Sequence, residues 1–445
     1  MDPAHGLGAA LAAAVVFAGA CSTSSARDRA SVTPSSPLPT VTSSTPVSTS
    51  PYLTDAHWRR AGLVASLVNP TNDYSTLRLA HYDTGEAGDW SRLPEWNPRA
   101  ETVAAAELDA TGGVQAGAPL REDARPLDTK RELLALGEEA FFRYPVQLAK
   151  LSVALASRPA AARYGMWVDE ARGAGGVVRA QMADGTRLLA FSCATCHVRQ
   201  DPSGLVVGVG NDKLDIGRLL LDGSRAVPAD TAQSYLAWGP GRVDVTTAAG
   251  TEPVRISDLR PTRWLTHLQH GGAVMQRDLE ALATRIETLI ITSNNMVLRP
   301  PRQITLALAT YVWSLSSSVP VRMPSTAGEH HGATLFASQC ARCHSGEGLT
   351  GRPVPLALVG TDPARGAAST RGTGGYRTPS LRGVASRGML LHDASLPSVD
   401  AMLDPARLGA AYRGGRRKGP VPGHAFGLYL PAADRADLAL FLRTL

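Results

Sequence analysis

The chain has 445 residues, 44% of them hydrophobic and 19% charged, which is ordinary globular material. Its formal net charge of +6 is modest, and the absence of any basic stretch interleaved with aromatic residues argues against nucleic-acid binding. Setting aside the N-terminal segment leaves about 390 residues, room for two or three domains.

Residues 1–21 read as an export signal. An apolar run, Leu11 to Ala20, ends in Ala18, Gly19 and Ala20 just ahead of Cys21, like a bacterial lipoprotein site at which the Cys becomes the lipidated N-terminus. The run is shorter than the roughly 20 residues that span a bilayer. Met1 to His5 contains no Lys or Arg and Asp2 is acidic, a departure from that pattern; the alternative is a plain secretory signal with an incidental Cys21. Either way the expected location is the bacterial periplasm, with any membrane attachment made through lipid at Cys21. Residues 22–52, rich in Ser, Thr and Pro, form a flexible tether. Residues 53–130 read as an irregular cap with some β structure. Within it, the alternation of Tyr74 to Tyr82 predicts a strand.

Two longer segments share one layout. The first, 131–318, opens with Gly137, Ala140, Phe141 and Phe142 on a helix, and the second, 319–445, with Gly332, Leu335 and Phe336. Each closes on a helix with apolar residues at i, i+3, i+4 and i+7: Leu308, Tyr311, Val312 and Leu315, then Leu438, Phe441, Leu442 and Leu445. Pro320 to Pro324 marks the joint. Between its helices the first segment carries an insertion with Gly173, Gly175 and Gly176, which reads as a hairpin.

Each segment also carries one C-x-x-C-H: Cys193–Ala194–Thr195–Cys196–His197 and Cys340–Ala341–Arg342–Cys343–His344. The pattern is the attachment signature of a c-type haem. On a helical turn, positions i, i+3 and i+4 share one face. Two thioether bonds can then form on one edge of the macrocycle while the imidazole turns under the iron as proximal ligand. A zinc site would need a second Cys or His pair close to each motif, and a redox dithiol needs no trailing His. The motifs use four of five cysteines, leaving only Cys21. The sequence therefore predicts a mainly α protein: two fused class I cytochrome c-like haem modules with a small mixed N-terminal cap, carrying two haem c.

The segment Tyr376 to Val384 contains Arg377, Pro379, Leu381 and Arg382, and Leu390–Leu391–His392–Asp393 follows it. Together they resemble the R-x-P-x-L-R block and its trailing His of the di-haem cytochrome c peroxidase superfamily, which includes the methylamine-utilisation and rubber-oxygenase branches. Gly423–His424–Ala425–Phe426–Gly427 is similar to an element of the rubber-oxygenase branch. The resemblance covers about residues 131–445. It implies a reactive N-terminal haem and a C-terminal haem that conducts electrons. In related peroxidases a calcium ion can bridge the modules; the sequence names no ligands for one here. Two positions depart from the family. Its distal His, sixteen residues past the first motif, is Lys213 here, and the Gly after His-Asp is Ala394.

The second axial ligand decides between an electron carrier and a reactive iron. For the second haem the candidates are His424, flanked by Gly423 and Gly427, then His392, Met389 and Met402. For the first they lie in one stretch, His267, His270 and Met275, with no protein ligand as the equal alternative. Trp264 reads as packing or as an electron relay between the haems. His330 and His331 read as exposed, and Arg413, Arg416, Arg417 and Lys418 as a surface cluster able to meet a propionate or an acidic partner. Catalytic residues are not assigned. The expected function is an exported di-haem oxidoreductase, with peroxide or O2 chemistry at the N-terminal haem and a small redox protein as partner. The alternative is a pure electron-transfer lipoprotein with both irons six-coordinate.

Overall fold

A computed structural model of the protein describes residues 49–82, 90–109, 127, 129–149, 151–182, 184–224, 226–246, 250–416 and 418–445. The expected signal, Cys21, most of the tether and Arg417 lie outside the described residues. Among those described, no helix is long and apolar enough to cross a membrane.

The molecule is mainly helical and built on two equivalent helix crossings. In the first, Lys130–Arg143 packs across Arg302–Ser314. In the second, Ala327–Gln339 packs across Ala432–Leu442. Both opening helices start with a capping box, Thr129 with Glu132 and Thr326 with Glu329, which satisfies orphan N–H groups reciprocally. Both crossings need a glycine. A Cβ on Gly137 would lie 2.1 Å from the carbonyl oxygen of Ala307, and one on Gly332 would lie 2.1 Å from that of Asp437. Above each glycine an aromatic pair meets at 5.3 Å: Phe141 with Tyr311, and Phe336 with Phe441. The apolar spacing and the glycines thus encode the same close contact twice.

The insertion ahead of the first motif forms the predicted hairpin, Val177–Gln181 with Arg187–Phe191. It is the centre of a four-stranded antiparallel sheet completed by Arg99–Thr102 and Gln147–Leu148. The strand expected over Tyr74 to Tyr82 is instead a helix, Asp73–Tyr82. Asn72 accepts the Ser75 N–H at its start, and residues 72, 74, 75 and 78 are buried, a helical rather than a two-residue period. Arg78 can be buried because its guanidinium lies 3.5 Å over the Tyr74 ring and donates to the Tyr74 carbonyl. The cap shares the first module's core through Tyr74, and so does Tyr52, the last residue of the expected tether, which is fully buried with its hydroxyl donating to Glu287 at 3.0 Å.

The modules meet along residues 254–276. Asp258, buried, accepts from Arg260 of its own module at 2.7 and 2.8 Å and approaches Arg387 of the other at 3.4 Å. The Arg255 N–H donates to the His392 carbonyl, and the Arg377 N–H to that of His270, both at 2.8 Å.

Candidate functional site

The second motif follows directly on its helix. The N–H of His344 donates to the Cys340 carbonyl at 2.9 Å and that of Cys343 at 3.1 Å, one further turn that keeps Cys340, Cys343 and His344 on a common face. All three line a cavity of about 340 Å3, within the roughly 300–1,000 Å3 usual for cofactor pockets. His344 Nδ1 donates to the Leu349 carbonyl at 3.1 Å, which fixes the tautomer and leaves Nε2 with its lone pair. Thr350 and Ser380 staple this loop to the Arg377–Arg382 block through the carbonyls of Thr378 and Gly348, both at 2.6 Å.

His424 faces His344 across the cavity with ring centres 6.4 Å apart. Two imidazoles bonded to one metal at about 2 Å each hold their centres roughly 6–6.5 Å apart. Burial, reinforced by His344, pushes His424 down to about 4, and burial also lowers His344. Both rings are therefore neutral, the form that binds metal. His424 has φ +45°, between Gly423 at +78° and Ala425, so the ring is presented from a left-handed backbone position that non-glycine residues rarely adopt.

One wall of the cavity is polar. Arg255, His270, Tyr376, Arg377 and His392 gather there, two of them supplied by the first module. His270, expected at the first site, donates Nε2–H to the Arg255 carbonyl at 2.8 Å and lines the cavity of the second. His392 stacks on Tyr376 at 4.3 Å, with Nε2 3.1 Å from the phenol oxygen. The phenol donates to the Asp362 carbonyl at 2.6 Å, so His392 Nε2 carries the proton of their contact and is not a ligand atom. Met402 lines the cavity, whereas Met389 contributes its carbonyl to Arg255 at 2.6 Å. Burial, then Arg387 and Arg377, push Arg255 down to about 9, and burial leads the fall of Arg377 to about 10. Both guanidiniums also donate within the protein, Arg255 to the Met389 carbonyl and Arg377 to the Ser257 hydroxyl.

The first motif is a single buried helical turn, Cys193–His197. It is held by backbone carbonyls and amides on every side. Ser192 Oγ and Thr195 Oγ1 both donate to the Gly176 carbonyl at 2.7 and 2.9 Å, and Trp167 Nε1 donates to that of Ala194 at 3.0 Å. The Asn211 and Gly208 N–H groups reach the carbonyls of Cys196 and His197 at 2.7 and 2.8 Å. Gly176, at φ +62°, is required: a Cβ there would meet Thr195 N at 2.5 Å. Cys193 and Cys196 pack against different apolar clusters, and burial pushes both thiols up to about 12. His197, fully buried, has Nδ1 3.2 Å from the Ser257 carbonyl, to which it donates; its Nε2 has no hydrogen-bond partner among the described residues. Burial pushes this ring down to about 3.

Other sequence candidates fall elsewhere. Lys213 is exposed and its Nζ donates to the Gln200 carbonyl at 3.2 Å. Met275 is 36% exposed and pairs with His267 on a two-residue strand. Trp264 packs against Gly348, just past the second motif, with the Arg382 guanidinium 4.2 Å over its ring. His330 and His331 are exposed. Arg413 and Arg416 donate to backbone carbonyls at the surface. Ser257, Arg255 and Tyr376 were not singled out in the sequence; only Arg377 carried a signal, as part of the R-x-P-x-L-R block.

The family model for cytochrome c matches residues 330–445, so the second module is a cytochrome c domain, and haem c is its cofactor. No curated protein matches the chain in sequence. Solved structures similar to it include a MauG-like protein associated with microbial copper homeostasis, 20% identical, covering 44% of this chain and 73% of that one at a TM-score of 0.34. The diheme peroxidase BthA from Burkholderia thailandensis E264 is 17% identical, with 80% and 92% covered and a TM-score of 0.32. Hydrazine synthase from Kuenenia stuttgartiensis is 14% identical, with 80% and 97% covered and a TM-score of 0.33.

Proposed function

We propose that the chain is a di-haem c-type oxidoreductase in which each motif holds one haem c. Cys193 and Cys196 would tether one group and Cys340 and Cys343 the other, with His197 and His344 as proximal ligands. The residues fit. The Nε2 of buried His197 has no hydrogen-bond partner among the described residues and would be open to an iron, and the paired rings of His344 and His424 are spaced for one metal between them. That spacing is the observation that carries the reading. Bound haem supplies a one-electron iron couple. The chain's own part is to orient each imidazole through a backbone carbonyl, to exclude water with apolar walls, and to meet the propionate carboxylates with Arg255 and Arg377.

His344 and His424 would make the second haem a six-coordinate electron carrier. Lys213 and His270 are engaged by backbone carbonyls and Met275 is partly exposed, so a haem held by Cys193, Cys196 and His197 would be the one to supply peroxide or O2 chemistry. Electron paramagnetic resonance of the oxidised protein tests this. One low-spin and one high-spin haem are expected; two low-spin signals would leave the electron-carrier alternative. On the sequence alone we place the protein in the bacterial periplasm, anchored through lipidated Cys21 and served by a small redox protein.

A further inference from the structure

Arg407 neither lines the cavity nor forms an ion pair among the described residues, yet it is fully buried. A guanidinium taken out of water without a carboxylate is costly unless its N–H groups are all well used. Here they are spent on backbone carbonyls. Nε donates to Met402 at 3.0 Å, Nη1 to Val421 at 2.5 Å, and Nη2 to Gly423 at 2.8 Å and His424 at 3.0 Å. The Val421 N–H returns to the Arg407 carbonyl at 2.7 Å.

The two contacts of Nη2 fall on the two peptide groups that flank the His424 Cα. The peptide before it is held at both ends, its carbonyl by Arg407 and its N–H by the Val359 carbonyl at 2.6 Å. The peptide after it is held through the His424 carbonyl, again by Arg407. Fixing both peptides fixes φ and ψ, and with them the direction in which the side chain leaves the backbone. The conformation so held is the left-handed one at φ +45°, which a histidine would leave if released. Gly423 lets the loop lie flat on its support, since a Cβ there would meet Thr361 N at 2.2 Å.

We propose that Arg407 is a positioning residue for the second haem: its guanidinium clamps the 421–424 loop so that the His424 imidazole is aimed at the sixth coordination position. This rests on the reading of His424 as that ligand, so the two are tested separately on the full-length protein matured with both haems. H424A should convert the second haem from low to high spin; if it stays low-spin, the ligand reading fails whatever Arg407 does. R407Q and R407K, the latter keeping the charge but not the fork, should each lose low-spin signal at the second haem while the first haem's spectrum is unchanged. Added imidazole should restore it. The proposal is overturned if H424A turns high-spin but both Arg407 variants keep a full low-spin signal and an unchanged potential at the second haem. Loss of the second haem altogether, or a high-spin signal that imidazole does not restore, overturns it too, because positioning would then not be what was lost.

Discussion

The same five-residue pattern meets two different surroundings. The first is sunk in the fold, its turn bonded to Gly176, Trp167, Asn211 and Gly208, with the His197 ring tied to Ser257. The second stands at the mouth of a chamber whose far side presents His424 and whose polar wall borrows Arg255 and His270 from the other module. A duplicated motif therefore repeats the same three side chains but not what they face, because that is built by tertiary neighbours. The segment from Arg255 to Arg260 is where the two sites touch. Its Ser257 carbonyl accepts from His197, its Ser257 hydroxyl accepts from Arg377 of the second cavity at 3.3 Å, and its Asp258 joins the modules.

Breaking that junction should have the largest effect. Asp258 is buried; burial would raise its carboxyl, but Arg260 and then Arg387 hold it below the usual carboxylate range. Its contribution is thus present above the ordinary carboxylate value of about 4 and is lost as pH falls through the lowered folded value. D258N should destabilise the protein by about 3–5 kcal/mol, as removing one partner of a buried ion pair does. The acid arm of its stability profile should flatten. Denaturant unfolding from pH 3 to 7 measures both, and an unchanged acid arm would mean that the Asp258 carboxylate does not stabilise the fold.

The next pair asks whether the two helix crossings are equivalent. G137A and G332A each push a methyl against a facing carbonyl, and each should cost about 1–3 kcal/mol by overpacking. Comparable losses in thermal unfolding are expected. A cost in only one module would show that the repeat is one of sequence pattern and not of packing.

The smallest effect concerns the family departure at Ala394, fully buried at φ +63°. A394G relieves a left-handed alanine but gives up a buried methyl and adds unfolded-chain freedom, so the net change should stay under about 1 kcal/mol. A larger loss by calorimetry would mean that this methyl packs the second cavity's wall.

Much of the site was legible because it is local. The two motifs, the glycine-headed helices and the closing helices with their i, i+3, i+4 spacing all depend on residues a few positions apart. His424 stood out through its flanking glycines, one of which, Gly423, lies against the Thr361 backbone. Tyr74 to Tyr82 misled because its alternation is also compatible with a helix whose Arg78 is buried on an aromatic ring, a contact composition does not announce. His270 misled for a different reason: proximity in sequence to the first module said nothing of the chain's crossing into the second.

The sequence by itself determined where the two C-x-x-C-H turns would fall and that the fold would be mainly helical with one layout used twice, since a turn of helix brings i, i+3 and i+4 together without help. Only the tertiary structure decided which histidine stands opposite which, which arginines wall the cavity, and how Arg407 holds the His424 loop. Those relations join residues far apart in the chain, and burial with carbonyl geometry, not spacing, brings them within a few ångströms.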